Sequence, residues 1–301
     1  MEGQLISQFN SPSTDINGNL VRAGDVIARK GNSIMPTPFI PHPDNVRNFF
    51  ETGATLINNV ALSGANDLGH FRLSYTNFDN EGIIPNTDLN RNSVALSGGY
   101  RLHKRLTVRS FINYINSSST NRPATGYGSE NPLYLFTWMG RQVDVNDLKD
   151  YWQAGQEGIQ QFNYKYTWMD NPYFAMHENT NGFGKDRILG NLSFTYNLLD
   201  NLSFTFRTGM DNYNDLRKSR RAFSSQRFRN GAYREDEVQF REINTDFLLS
   251  YNRQLGSDWD YTISLGGNRM DQKLSYQSLM AGELSVPGIY NFENSRNPLV
   301  V

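Results

Sequence analysis

The sequence contains no cysteine among its 301 residues, so disulfides, thiolate metal sites and a cysteine nucleophile are excluded. No apolar run approaches the ~18 residues that a membrane-spanning helix needs. The opening residues are polar and do not form the basic and apolar regions of a secretory signal. The net charge of -1 gives no general attraction to nucleic acid, and we expect no nucleic-acid partner.

Signals of catalysis and metal binding are also scarce. No Gly-x-Ser-x-Gly turn is present to support serine hydrolysis. The four histidines, His42, His70, His103 and His177, have no histidine partner at the i+2 or i+4 spacing, whereas zinc needs three or four converging ligands. We therefore expect that the chain is not an enzyme and has no catalytic residue, metal or cofactor.

The chain is rich instead in aromatic residues, with 16 Tyr, 19 Phe and 4 Trp, which favours strands over helices. Hydrophobic positions recur with a period of two, as where Phe71, Leu73 and Tyr75 alternate with Arg72 and Ser74. This alternation predicts eight strands, at residues 55–63, 70–76, 93–102, 106–114, 188–197, 202–207, 243–251 and 259–268.

Alternation alone leaves two architectures open. The mean hydropathy of -0.60 is too polar for a protein of membrane-spanning helices. A transmembrane barrel strand, however, turns one face to lipid and the other to water, so about half of its side chains are polar. A soluble β-sandwich shows the same alternation, with the apolar faces packed on the core.

The lengths of the connections separate these two architectures. Short links are expected at residues 64–69, 103–105, 200–201 and 253–258, and long ones at 77–91, 117–187, 212–238 and from 276 onward. In an antiparallel up-and-down order, all the short links share one end. This asymmetry is typical of outer-membrane barrels and is not expected of a Greek-key sandwich. The sequence therefore predicts an all-β, antiparallel up-and-down transmembrane β-barrel segment of about eight strands with long extracellular loops.

Aromatic residues on the apolar face gather near the short-link end. Rings with a polar handle settle at the level of lipid headgroups, which predicts an aromatic girdle, whereas cross-strand ring packing in a soluble sheet is the alternative. The residues concerned are Tyr100, Tyr196, Tyr251, Trp259 and Tyr261.

Candidate ligand or partner contacts lie in the long segment at residues 117–187. They are Tyr134, Trp138, Trp152, Trp168 and Tyr173. Flat rings stack on sugars, and nearby amides and carboxylates bind hydroxyls. The alternative is that these rings pack the loop into a small core of its own.

Charged residues supply two further candidate groups. The first comprises lumen-facing arginines that either tune passage or pair with plug carboxylates: Arg72, Arg101, Arg109 and Arg207. The second comprises residues 217–221 with Arg227 and Arg229. We interpret it either as a solvated hairpin extension whose arms exchange salt bridges, or as a contact with lipopolysaccharide phosphates or an acidic ligand.

Several separated stretches resemble one family. Pro41-His-Pro-Asp-Asn-Val-Arg-Asn-Phe-Phe-Glu-Thr-Gly53, followed by Asn58-Asn-Val-Ala-Leu-Ser-Gly64, resembles the early barrel of SusC/RagA-type TonB-dependent transporters. Further matches, in the same order as in the family, are Phe71-Arg-Leu-Ser-Tyr-Thr-Asn, residues 81–91, Asn171-Pro-Tyr and Asp186-Arg-Ile-Leu-Gly-Asn191. The resemblance covers nearly the whole chain.

The resemblance implies a large outer-membrane barrel of a Gram-negative cell that imports oligosaccharides or peptides. It also implies a SusD-like surface lipoprotein as a lid, TonB acting through a plug, and contact with outer-membrane lipid and lipopolysaccharide. No plug is recognisable here, so we expect an internal barrel segment. Residues 1–54 would form an extracellular loop region, residues 55–275 the strands with their periplasmic turns and outer loops, and residues 276–301 the start of the next outer loop.

Two other functions stay open at this point. A soluble or surface-attached β-protein that binds glycans would fold in water without detergent. A small outer-membrane enzyme with its site at the barrel rim would need a nucleophile beside a histidine, and the sequence offers no candidate pair.

Overall fold

The computed structural model describes residues 41–166 and 168–301 in full. Before residue 41 it describes only the backbone of two short strands, β1 (Ser13–Thr14) and β2 (Leu20–Val21), which pair antiparallel. Most of the expected extracellular region at residues 1–54 therefore lies outside the described residues. Helix α1 (Asn45–Phe49) ends just before the main sheet begins.

Eight long strands form the main sheet, which confirms the predicted number. Each strand pairs antiparallel with its neighbours in sequence, in the order β10-β9-β8-β7-β6-β5-β4-β3. The fold is therefore an all-β, up-and-down meander in a single sheet. The strands are β3 (Ala54–Ala65), β4 (Gly69–Glu81), β5 (Asp88–His103), β6 (Leu106–Ser119), β7 (Asn181–Leu199), β8 (Leu202–Phe223), β9 (Asn230–Leu255) and β10 (Trp259–Ala281).

Tight turns join the strands at one end of the sheet, at residues 66–68, 104–105, 200–201 and 256–258. Local chemistry explains two of them. Asn66 Oδ1 accepts hydrogen bonds from the backbone of Leu68 and Gly69, which closes an Asx-type turn. Gly256 adopts a positive φ of 69°, which glycine reaches without steric cost.

The opposite end differs from the prediction in two of its connections. Residues 82–87 join β4 to β5 and residues 224–229 join β8 to β9, so the segments expected to be long loops are mostly strand. These extensions are polar on both faces, and the alternation that marks a strand in the sequence is therefore lost. The connection at residues 120–180, called the β6–β7 loop below, is long as predicted.

The register aligns the apolar side chains of neighbouring strands on one face. Leu62 lies opposite Leu73, Leu73 opposite Leu96, and Leu96 opposite Ile112. We call the side that carries these residues the apolar face and its reverse the polar face. All four side chains are exposed. A sandwich would bury them between two sheets, so the single exposed sheet excludes that arrangement for the described residues.

Rings occupy a second row on the apolar face, nearer the tight turns. Phe194 lies opposite Phe206, and Phe206 lies opposite Phe247. The five residues of the predicted girdle share this face and lie near the tight turns. No helix among the described residues is long and apolar enough to cross a membrane.

The main hydrophobic core of the described chain lies in the β6–β7 loop. This loop contains helix α2 (Pro132–Thr137), a 3-10 turn (Val145–Leu148) and helix α3 (Pro172–Glu178). Its buried side chains include Leu135, Leu148 and Met176, and Phe49 from α1 joins them. A smaller cluster forms where residues 282–301 fold against the ends of β8 to β10. The loop is therefore a folded unit seated at the end of the sheet opposite the tight turns.

Candidate functional site

Asn171 organises the interior of the β6–β7 loop. Its side chain caps α3 by accepting hydrogen bonds from the backbone of Tyr173 and Phe174, and Pro172 follows at the first helical position. Its Nδ2 also donates to the carbonyls of Leu148 and Phe162, at 2.9 and 2.8 Å. One fully buried amide thus holds three parts of the loop together.

Asp170 links the loop to the β8–β9 turn. Its Oδ1 accepts hydrogen bonds from Gln161 Nε2 at 2.8 Å and from the backbone N–H of Gln226 at 2.9 Å. Gln161 in turn donates to the carbonyl of Ser224 at 2.7 Å. Burial raises the pKa of the Asp170 carboxyl to about 6, against the opposing effect of these hydrogen bonds. The contact is therefore sensitive to protonation.

Three aromatic rings cluster on the outside of the loop. The ring centroids of Tyr127 and Tyr134 are 4.4 Å apart, and those of Tyr134 and Trp138 are 6.2 Å apart. Lys165 Nζ lies 5.6 Å from the Trp138 ring centroid, within range of a cation–π contact. We call these four residues the aromatic cluster. Trp138 is 51% exposed, so its ring remains available to a ligand or partner.

The five aromatic residues singled out in the sequence fall into two groups. Tyr134 and Trp138 belong to the aromatic cluster, and Trp168 is 69% exposed elsewhere on the loop. Trp152 packs edge-on against Phe174 with ring centroids 5.3 Å apart. Tyr173 is only 6% exposed and lies 5.1 Å from the Phe49 ring, so it packs in the core.

Sequence reasoning missed Tyr127, the most exposed ring of the aromatic cluster. It lies between Gly126 and Gly128, and a Cβ added at either glycine would meet nothing within 4 Å. A large ring between two residues without side chains has few local packing partners. The Gly-Tyr-Gly pattern could therefore have identified it.

The four arginines expected on the lumen side all share the polar face. Arg109 lies opposite Ser193, Ser193 opposite Arg207, and Arg207 opposite Asp246. Arg207 Nε donates to Asp246 Oδ1 at 2.8 Å. Arg72 and Arg101 lie nearer the other edge, opposite Ser97 and Thr107.

A second charged group on the polar face was not predicted. Arg187 donates through Nε to Asp211 at 2.8 Å. Lys185 Nζ lies 3.7 Å from the Tyr213 ring centroid, and the Tyr213 ring stacks on Phe240 at 5.0 Å. These contacts join side chains on three strands, and strand alternation gives no information about them without the register.

The basic segment at residues 217–221 is largely engaged by carboxylates. Lys218 pairs with Glu235 on the opposite arm of the hairpin at 3.2 Å, and Arg217 pairs with Asp215 at 2.7 Å. Arg221 binds Glu130 of the β6–β7 loop. This arrangement is the hairpin extension with paired arms that the sequence suggested.

Two other observations complete the description of the site. A hollow of about 720 Å³ lies near the tight turns beside Phe71, Leu96 and Tyr100, at the end opposite the β6–β7 loop. Among the described residues, no three histidine, aspartate or glutamate side chains come together to hold a metal ion. The aromatic cluster and the charged polar face therefore remain the candidate functional surfaces.

These features define an up-and-down β-sheet protein with one folded loop. No family profile and no curated protein matches the chain in sequence. Its fold is similar to a solved structure titled the RagAB peptide transporter, with a TM-score of 0.60 and 17% identity over 86% of this chain. Two structures of the RagAB peptide importer are also similar, each over 85% of this chain. The open-open state has a TM-score of 0.59 at 17% identity, and the closed-closed state has a TM-score of 0.57 at 18% identity. The chain covers 29% of each of these proteins, and the likeness is one of fold.

Proposed function

We propose that this chain forms part of the β-barrel of a SusC/RagA-type outer-membrane transporter that imports oligosaccharides or peptides. The fold similarity to the RagAB importer supports a transport-related role. The SusC/RagA resemblance of the sequence supports the finer assignment, because it rests on several stretches in the family's order.

The observation that carries the proposal is the exposed apolar face. On β9 and β10 it covers residues 243–251 and 259–267, which we call the apolar band, with Thr245 as a polar member. Each stretch has about nine residues, which is the length of a tilted strand that crosses the hydrocarbon core. An apolar surface of this extent is rare on a soluble monomer. The reverse face carries Arg109, Arg207 and Asp246, as a wall of an aqueous channel requires.

The proposed partners rest on the SusC/RagA resemblance of the sequence. We propose that the exposed rings Trp138 and Trp168 and the partly buried ring Tyr134 contact ligand or a SusD-like lipoprotein, while Trp152 and Tyr173 support them from within the loop. Arg72, Arg101, Arg109 and Arg207 would line the passage. TonB would act through a plug region that is not recognisable in this sequence, and the apolar face would meet outer-membrane lipid and lipopolysaccharide.

The test is the requirement for detergent. The chain in its native reading frame should fractionate with the outer membrane, and circular dichroism and size exclusion should show a monodisperse β protein only in detergent. A monodisperse, folded protein in water would overturn the proposal and favour a soluble glycan-binding protein. Hydrolysis of a substrate by the purified barrel would favour the outer-membrane enzyme instead.

A further inference from the structure

Arg241 and Lys273 stand directly opposite each other in the β9–β10 ladder, and both are exposed. They share the apolar face with Ile243, because alternate residues of a strand point to the same side. Like charges that face each other across an antiparallel pair destabilise it. Sheet stability therefore gives no reason for this pairing.

The surrounding side chains do not neutralise the two cations. The acidic residue one position along on the same face, Asp271, is paired with Arg269 at 3.1 Å. Glu242 follows Arg241 in the chain and therefore points to the polar face. The remaining neighbours on this face are neutral: Asn212, Gln239 and Ser275.

Two adjoining hollows meet at the cation pair. One, of about 400 Å³, is lined by Arg241, Lys273 and Arg269 together with Ile243, Thr245 and Asp271. The other, of about 210 Å³, is lined by Arg241 and Lys273 together with Asn212, Gln239, Phe240 and Ser275. Both cations are therefore next to open space that is also reached by amide and hydroxyl groups.

The position of the pair relative to the apolar band identifies the occupant. Along the apolar face, Arg241 is the next residue beyond Ile243 of the apolar band, on the side away from the tight turns. In a barrel with its long connections outside the cell, this is the level of the outer-leaflet headgroups. Cations at this level attract anionic lipid, and arginine can present two donors to one phosphate.

Resting on the proposed function, we propose that Arg241 and Lys273 bind a phosphate of an outer-leaflet glycolipid headgroup. The amides of Asn212 and Gln239 and the hydroxyl of Ser275 are placed to bind the sugar hydroxyls beside it. The apolar band of β9, which begins next to Arg241, accommodates the acyl chains.

The test compares wild type with the double variant R241Q/K273Q, each expressed in its native reading frame and purified from the outer membrane in detergent. Native mass spectrometry and titration with bisphosphorylated lipid A would measure binding. Each cation near a membrane surface contributes about a fivefold change in affinity, so the double variant should bind about 25-fold more weakly. It should fold at least as stably, because it removes the opposed charges.

The matched control is Arg253→Gln. Arg253 lies on the same face, at the end of the apolar band nearer the tight turns, and its substitution should leave lipid A binding unchanged. Dephosphorylated lipid A should bind wild type as weakly as lipid A binds the double variant.

Equal binding by wild type and the double variant, or an equal loss in the control, would overturn the proposal. Tight binding of inorganic phosphate alone would show an ion site and contradict the lipid assignment. A folded wild type in water would refute the transporter proposal as well, whereas a membrane protein with unchanged lipid A binding refutes only this inference.

Discussion

Arg221 at the end of β8 binds Glu130 of the β6–β7 loop through two parallel hydrogen bonds. Nε donates to Oε1 at 2.9 Å, and Nη2 donates to Oε2 at 2.7 Å. The same guanidinium donates to the carbonyl of Thr180 at 3.1 Å and to Asn181 Oδ1 at 2.8 Å. One mostly buried side chain thus joins Glu130, in the first part of the loop, to Thr180 at its end. The loop is fixed to the hairpin by ionic contacts in addition to its own core.

Arg221→Ala should therefore loosen the loop. Removing one partner of a mostly buried ion pair leaves a carboxylate unpaired, and we expect a cost of about 2–3 kcal/mol for local opening. Hydrogen exchange of residues 120–135 should become faster. Exchange in the half of β8 nearer the tight turns should stay unchanged. Arg227→Ala, an exposed arginine of the same hairpin, serves as the control and should have little effect. Unchanged exchange in the Arg221 variant would show that the core alone holds the loop.

Asp170 should make the docking of the loop depend on pH. Its pKa is raised in the folded protein, from an ordinary value of 3.8 to about 6, because burial disfavours the charged form. The folded loop thus binds the proton more tightly than the open loop does. The contribution of Asp170 to the stability of the docked loop is therefore most favourable below about pH 4 and declines between about pH 4 and 6, by roughly 3 kcal/mol in all.

The measurement is the rate of proteolysis within the β6–β7 loop at pH 4.5 and pH 7.5, corrected for the pH dependence of the protease. Wild type should be cleaved faster at the higher pH. Asp170→Asn remains neutral throughout and should lose most of this difference. The prediction is wrong if the variant keeps the pH dependence of the wild type.

Trp138 should contribute to ligand binding if the aromatic cluster is a contact surface. Aromatic contacts add about 0.5–1.5 kcal/mol beyond the burial of their area, so Trp138→Ala should weaken binding by at least about two- to thirteenfold. Suitable probes are a ladder of linear glucan oligomers and a tryptic digest, each titrated against the detergent-solubilised protein. Trp259→Ala removes an exposed tryptophan near the tight turns and is the matched control. If both variants bind the same probe as tightly as wild type, the cluster is not the contact surface.

The strands could be predicted because one face of each is apolar and the other polar. Where that contrast holds, as from Ile243 to Tyr251, the sequence marks the strand correctly. It fails in the outer halves of β8 and β9, where residues such as Asn214 and Gln239 make the apolar face polar as well. The hydrogen-bonded ladder continues there, because backbone pairing does not require an apolar side chain.

The candidate site was less predictable than the sheet. Composition identified the β6–β7 loop as aromatic, but the division between exposed Trp138 and buried Tyr173 depends on how the loop folds on Phe49, which lies outside the loop in sequence. The pairing of Arg221 with Glu130 spans 91 residues, and no local pattern encodes it. Long-range register and packing thus decide which candidates reach the surface.

Phe247 and Leu248 provide the sharpest test of what the apolar face meets. They are neighbours in β9 with similar exposure, 43% and 39%, but they point to opposite sides of the sheet. Phe247 lies at the middle of the apolar band, so Phe247→Arg would place a charge in hydrocarbon. Such a substitution costs about 2–4 kcal/mol at the bilayer midplane. Leu248→Arg adds the same charge to the polar face, where water or Asp246 is available, and should cost much less.

Stability in lipid vesicles, measured by urea titration, should therefore fall for the Phe247 variant and change little for the Leu248 variant. Equal losses in the two variants would mean that both faces meet similar surroundings, which a barrel wall between lipid and water does not allow.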